Sequence, residues 1–359
     1  MAEKKEMRGL LLHFGANVWY DEWMDKSKPR SAQVATDYLQ LDEALWRETT
    51  DRMAAGGLNT VVMDVAEAVV YPSHPELAVK GSWSVERFRA ELARLRKIGL
   101  TPIPKLNFST AHDTWLKDYG RMVSTPEYYK VCRDVIKDVY EIFDHPEYLH
   151  IGMDEEMAVY QKKYVYCVMR QGELWWHDFL FLVKTCEEFG MRAWAWSDYA
   201  WWHPCEYIKR TPKSVLLSDW YYLPKFDLQS AIARNRWALR NFIDFDNAGF
   251  DQVPTGTNYN PALVKNFPGL VEFCDAHIAP ERLKGYLQTP WAVMIPKYRD
   301  RVLQSVDIAV ETFRNRGPLP SAAQKRYSAS ENAKLVLPPD ADKKIAEQKK
   351  RDPKYNAYW

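Results

Sequence analysis

The chain has 359 residues, 47% of them hydrophobic, with a formal net charge of +1; this describes a globular protein able to bury a large core. Lys and Arg are spread along it, with no basic block outside the C-terminal tail, so no nucleic-acid partner is expected. No apolar run approaches the roughly 18 to 20 residues of a spanning helix, so no membrane insertion is expected either.

The start, MAEKKEMRGLLL, lacks the apolar core of a secretory signal, which leaves the compartment open. Cys132, Cys167, Cys186, Cys205 and Cys274 are widely spaced, with no CxxC pair and no His-x-x-x-His. Neither a disulfide framework nor a metal site is expected, and no cofactor; the cysteines read mostly as buried free thiols.

Three segments repeat one order of elements: 53–65 (MAAGGLNTVVMDV), 95–108 (LRKIGLTPIPKLNF) and 187–198 (EEFGMRAWAWSD). In each, a helix gives way to glycine (Gly57, Gly99, Gly190) and then to a β-rich run, the pattern of a left-handed helix cap followed by a strand. In 85–98, Val85, Phe88, Leu92 and Leu95 fall on one helical face. STPEYY predicts a helix start with Thr125 as N-cap and Pro126 at the first helical position.

With weaker candidates the strands fall at 10–14, 59–65, 101–107, 148–153, 191–197, 214–219, 250–255 and 283–289, with room for a helix in each gap. This predicts a (β/α)8 TIM barrel over residues 1–316. A doubly wound sheet is the structural alternative, but GxGxxG is missing. From Gly317 to Trp359 the chain turns Pro-rich and then Lys-rich, which reads as a C-terminal extension.

Barrel active sites gather at the C-terminal ends of the strands. There the sequence places Asn17, Asp64, Glu67, Asn107, His112, Asp154, Glu155, Glu156, Trp196, Asp198, Trp220, Tyr222, Tyr259 and Trp291. Trp and Tyr are abundant, at 15 and 21, and with acids and amides they suit the apolar faces and hydroxyls of a sugar. On the fourth strand, LHIGMDEEM, alternation sends Ile151 and Met153 to the helix layer and His150 and Asp154 to the barrel axis. A turn at the strand end brings Glu155 to the same pocket. Two adjacent carboxylates push their pKa values apart, which divides them into a general acid and an ionised stabiliser. Glu156 reads as a solvated or helix-start charge, and His150 as a hydrogen-bonding support.

The run His150 to Glu155 resembles the His-x-Gly-x-Asp-Glu signature of glycoside hydrolase family 20, the β-N-acetylhexosaminidases, at the same fourth strand. ARLRKIGLTPIPKLNFSTAH is similar to that family's third-strand segment, and GYLQTPW to its closing strand. The resemblance implies an exo-acting, retaining hydrolase of terminal sugars with substrate-assisted catalysis. Asp154 would orient the 2-acetamido group and Glu155 would serve as acid/base. Trp220 and Trp291 would wall the pocket, and Tyr259 would donate a hydroxyl. The chain departs from the family at the first strand, LLHFGANVWYDEW, where Asn17 and Trp19 stand and the expected arginine does not. It departs again at the third, where Lys105 replaces a glutamate and Ser109 to His112 replace a Pro-Gly-His. Two alternatives stay open: a glycosidase on a non-acetamido sugar pairing Glu155 with Asp198 or Asp64, and a carbohydrate-binding barrel without turnover.

Overall fold

The computed structural model describes residues 6–20, 33–161 and 166–316; the C-terminal extension lies outside them. Eight parallel strands alternate with helices. The strands are β1 (Met7–His13), β2 (Thr60–Asp64), β3 (Thr101–Lys105), β4 (Tyr148–His150), β5 (Arg192–Trp196), β6 (Leu216–Ser218), β7 (Thr255–Thr257) and β8 (Gly285–Thr289). The helices are α1 (Glu43–Ala55), α2 (Val85–Lys97), α3 (Pro126–Ile142), the short α4 (Ala158–Gln161), α5 (Glu173–Glu188), α6 (Pro204–Arg210), α7 (Ala233–Asn247), α8 (Asn266–His277) and α9 (Arg299–Asn315).

The sheet runs β6-β5-β4-β3-β2-β1-β8-β7. Single parallel bridges, Leu217 with Gln252 and Trp220 with Thr255, link its two ends and bring the sheet round into a (β/α)8 barrel. The helix-glycine-strand repeat sets the spacing: Gly57, Gly99 and Gly190 take φ of +82°, +91° and +81° just past α1, α2 and α5, a region costly to side chains. At α3 the Thr125 hydroxyl accepts from the Tyr128 N–H and Pro126 opens the first turn.

The strands differ from their sequence-based bounds by a few residues each, β1 starting earlier, at Met7, and two of the differences have a local cause. β7 is shorter and later than 250–255 because Pro254 has no N–H for the ladder; Gln252 still bridges both neighbours before it. β4 stops at His150 because Gly152 and Met153 both turn to φ of +72°.

Strand alternation sorts the interior into layers. Leu11, Val62, Ile103, Tyr148, Trp194, Leu216, Val253 and Leu287 pack together along the axis, while Leu10, Leu12, Ile151 and Met153 face the helices. Two residues further along each strand the same face carries His13, Asp64, Lys105, His150, Trp196, Ser218, Thr255 and Thr289. The barrel is thus filled by hydrocarbon and indole below and by groups able to hydrogen-bond above, at the end where barrel sites form.

Among the described residues no helix is long and apolar enough to cross a membrane, and no group of three or more His, Cys, Asp or Glu side chains is placed to hold a metal ion.

Candidate active site

The turn after β4 gives the site its shape. Gly152, Met153 and Glu155 have φ of +72°, +72° and +55°, so three left-handed residues lie within four positions. Gly152 has a second reason to be glycine: a Cβ there would lie 1.9 Å from Asn107 Oδ1. That close approach lets Asn107 Nδ2 donate to Asp154 Oδ1 at 2.9 Å. The twist sends Asp154, Glu155 and Glu156 into three different surroundings.

Asp154 lies on the axial side, its side chain 10% exposed, and Glu155 beside it is 21% exposed. His112 joins them. Its Nε2 lies 3.3 Å from Asp154 Oδ2 and 3.6 Å from Glu155 Oε2, while its Nδ1 lies 3.1 Å from the Val18 carbonyl oxygen. Both ring nitrogens face acceptors, so both carry hydrogen and the ring is an imidazolium. Burial opposes that charge, but Asp154 and then Glu155 outweigh it and the His112 pKa is pushed up to about 10. Burial likewise works against the Asp154 carboxylate, yet His112, Lys105 and Asn107 together hold its pKa well below the usual carboxylate range. Asp154 is therefore ionised at neutral pH.

Glu156 is not a solvated charge. Its side chain is fully buried and clamped by Arg170, also fully buried, at 2.9 Å (Nη2 to Oε1) and 3.2 Å (Nε to Oε2). Arg170 also donates to Asp178 Oδ2 at 2.9 Å and to the Phe108 carbonyl at 2.6 Å, and Glu156 Oε1 accepts the Thr110 N–H at 2.8 Å. The third carboxylate ties the β4 turn to the β3 loop, which is why a run of three acids is tolerated here.

Below the pair, the polar layer is short of partners. Both ring nitrogens of His13, Asp64 Oδ1, His150 Nε2, Trp196 Nε1 and Asp198 Oδ1 are buried without a hydrogen-bonding partner. Burial, then Lys105, holds the His13 and His150 pKa values well below the usual histidine range, so both rings are neutral. Asp64 contacts Lys105 Nζ. Asp198 Oδ2 accepts the Glu155 N–H at 3.0 Å, and burial followed by the Asp154 charge pushes its carboxyl well above the usual range. Both effects favour the neutral acid over the carboxylate at Asp198.

Aromatic rings surround this floor. His13 sits 4.3 Å from Trp19 and 5.5 Å from Trp291, Trp196 lies 4.7 Å from His150 and 5.9 Å from Trp291, and Trp291 Nε1 donates to the Tyr222 hydroxyl at 3.0 Å. Tyr222 stacks on Trp220 at 4.7 Å, and the exposed Tyr259 meets its edge at 6.2 Å.

Of the sequence-predicted residues, Asn107, His112, His150, Asp154, Glu155, Trp196, Asp198, Tyr222 and Trp291 come together around one mouth, with Asp64 on its floor and Trp220 and Tyr259 at its rim. Asn17 does not join them: its amide bridges Thr36, donating to the carbonyl at 2.8 Å and accepting the N–H at 3.0 Å. Glu67 is also spent on backbone, accepting from Ala16 and Asn17 at 2.8 and 3.0 Å. His13, Lys105 and Arg170 are additions. For the first two the signal was strand parity, since each lies two residues beyond an interior apolar residue. For Arg170 no pattern existed.

No protein-family profile matches the chain and no curated protein matches it. Solved structures do. A β-N-acetylhexosaminidase from Bacteroides fragilis is similar at TM-score 0.59 and 12% identity, over 99% of this chain and 74% of that one. A chitobiase from Flavobacterium johnsoniae is similar at TM-score 0.57 and 16% identity over 91% of this chain, which spans only 51% of that enzyme. A family 5 glycoside hydrolase from Prevotella bryantii, solved with a xyloglucan tetradecasaccharide, is similar at TM-score 0.50 and 11% identity, over 87% of this chain and 100% of that one. At such identities the likeness is one of fold: the chain is a (β/α)8 barrel of the architecture found in family 20 hexosaminidases.

Proposed function

We propose that the protein is an exo-acting glycoside hydrolase of the hexosaminidase type. The observation that carries this reading is the pair Asp154 and Glu155 on one strand end, bridged by the His112 imidazolium above a floor of unpartnered polar groups. A ring of hydroxyls supplies what that floor lacks, and the surrounding Trp and Tyr faces suit the sugar's C–H surface.

In this reading Glu155, the more exposed of the two acids, takes up a proton from solvent, leaving the His112 imidazolium to Asp154, and gives that proton to the leaving glycosidic oxygen. Asp154, held ionised, stabilises the positive charge that grows at the anomeric centre. With a 2-acetamido sugar, the substrate's own carbonyl oxygen attacks that centre while Asp154 accepts the acetamide N–H, the substrate-assisted exception to the two-carboxylate scheme. Each Asp154 oxygen already accepts one hydrogen bond and retains a lone pair for another. The alternative nucleophiles fit less well: burial and the Asp154 charge disfavour the Asp198 carboxylate, and Asp64 is taken by Lys105.

The test is a panel of aryl glycosides, with and without 2-acetamido groups, read by release of the phenol. Glu155→Gln should lose about 10² to 10⁴ in rate on glycosides with poor leaving groups and much less on activated aryl glycosides. Equal losses on both would remove Glu155 as the acid. Equal rates with and without the acetamide would remove substrate assistance.

A further inference from the structure

The mouth of the site carries a cation that the reaction itself does not use. Arg234 lies in the first turn of α7, exposed at the rim. Its guanidinium carbon sits 5.5 Å from the centre of the Trp201 ring, and it donates to the Tyr160 hydroxyl. Trp201 is fixed in turn, with Nε1 donating to Asp219 Oδ1 at 3.1 Å and its ring 4.3 Å from Trp220. Tyr160 belongs to α4, directly after the acid turn and five positions past Glu155. Arg234 is thus fastened to the segment that follows the proton donor, and among the described residues no carboxylate pairs with it.

A general acid stands on the leaving-group side of the bond it breaks, so the wall of Tyr160, Trp201 and Arg234 is where the departing sugar lies. We infer that this wall forms a subsite for an acidic leaving-group sugar, one bearing a carboxylate or a sulfate, with Arg234 as its anion-binding group. The inference rests on the glycosidase reading and names the substrate class for it. Three features carry it. The cation has a planar fork of donors suited to carboxylate and sulfate oxygens. Aromatic contact and the Tyr160 hydroxyl hold that fork in place, so little entropy is lost on binding. The exposed Trp202, 6.5 Å from Trp237 on the same rim, adds an apolar face for the ring of the same sugar. A neutral leaving sugar has no use for an unpaired cation.

The test uses the full chain and three disaccharides that share one non-reducing sugar and end in glucose, glucuronate or glucose 6-sulfate. In the unaltered protein kcat/KM for at least one acidic disaccharide should exceed that for the neutral one by about tenfold, the worth of one charge-assisted contact, and the advantage should shrink as salt is added. Arg234→Gln should abolish the ratio and Arg234→Lys should keep part of it. Because the ratio is taken within each variant, a partial loss of folded protein cancels. Preference for glucuronate alone identifies a carboxylate, and preference for the sulfate alone a sulfate. Equal kcat/KM for acidic and neutral forms, or a preference that survives Arg234→Gln, overturns the subsite. If no disaccharide is cleaved, the glycosidase reading fails, and calorimetric titration decides the subsite: acidic binding lost in Arg234→Gln keeps it, and equal binding of all three disaccharides overturns it.

Discussion

Raising the pH should weaken the fold through His112. In the folded protein its pKa is pushed up from 6.5 to about 10. A group whose folded pKa lies above its unfolded value stabilises fully below the unfolded pKa, and loses that contribution as pH climbs through the folded one. From pH 6.5 to about 10 the slope is about 1.4 kcal/mol per pH unit, on the order of 4 to 5 kcal/mol over the window. With 8% of the side chain exposed, solvent screening takes away little of this. Asp154 acts with the opposite sign. Its folded pKa is depressed, so its contribution is present above about pH 4 and is lost on acidification. The combined contribution of these two groups is greatest between about pH 4 and 6.5, whereas His13 and His150, held neutral by burial, take stability away as the pH falls below 6.5. His112→Asn removes the titration while keeping a polar side chain. Urea midpoints of both proteins between pH 5 and 10 give the measurement. The unaltered protein should be the more stable at pH 6, and the gap should close steadily towards pH 10. Parallel curves across that range would refute the imidazolium bridge, because every other titrating group is common to both proteins.

Removing Arg170 with Arg170→Met leaves Glu156 and Asp178 buried without a counter-charge and should cost about 3 to 5 kcal/mol in denaturant unfolding; adding Glu156→Gln and Asp178→Asn should recover much of it. Gly152→Ala drives a methyl group into Asn107 at a φ of +72°, displacing the donor that holds Asp154. Steady-state kinetics should show kcat falling by about 10², with KM changing less.

The fold was legible because its signals are local. A glycine after an amphipathic helix and before a β-rich run marks a unit of the barrel wherever it occurs, and alternation along LHIGMDEEM separates Ile151 and Met153 from His150 and Asp154 without any tertiary knowledge. Asn107, His112, Asp198 and Trp291 were legible by position alone, as strand-end residues of the right chemistry. What escaped was decided by partners. Asn17 has the same chemistry and position as Asn107, but a loop carrying Thr36 reaches it first. Glu156 looks like its two neighbours in sequence, and only the left-handed backbone at Glu155 and the arrival of Arg170 from a stretch without periodicity turn it inward. The upward shift of the Asp198 carboxyl follows from burial and the Asp154 charge, which no spacing encodes. Pro254 was visible, and its missing N–H accounts for the displaced seventh strand.

The acid turn also has a bearing on how the molecule folds. Asp154 takes Asn107, 47 positions earlier. Glu156 takes Thr110, 46 positions earlier, and the Glu155 amide takes Asp198, 43 positions later. Three consecutive residues therefore acquire their geometry only when chain segments on both sides have docked, and such non-local closures form slowly. Helices, whose contacts are local, assemble well before them. During refolding the helical signal in circular dichroism should thus return ahead of catalytic turnover, and the interval between the two times the last closure of the barrel around its fourth strand.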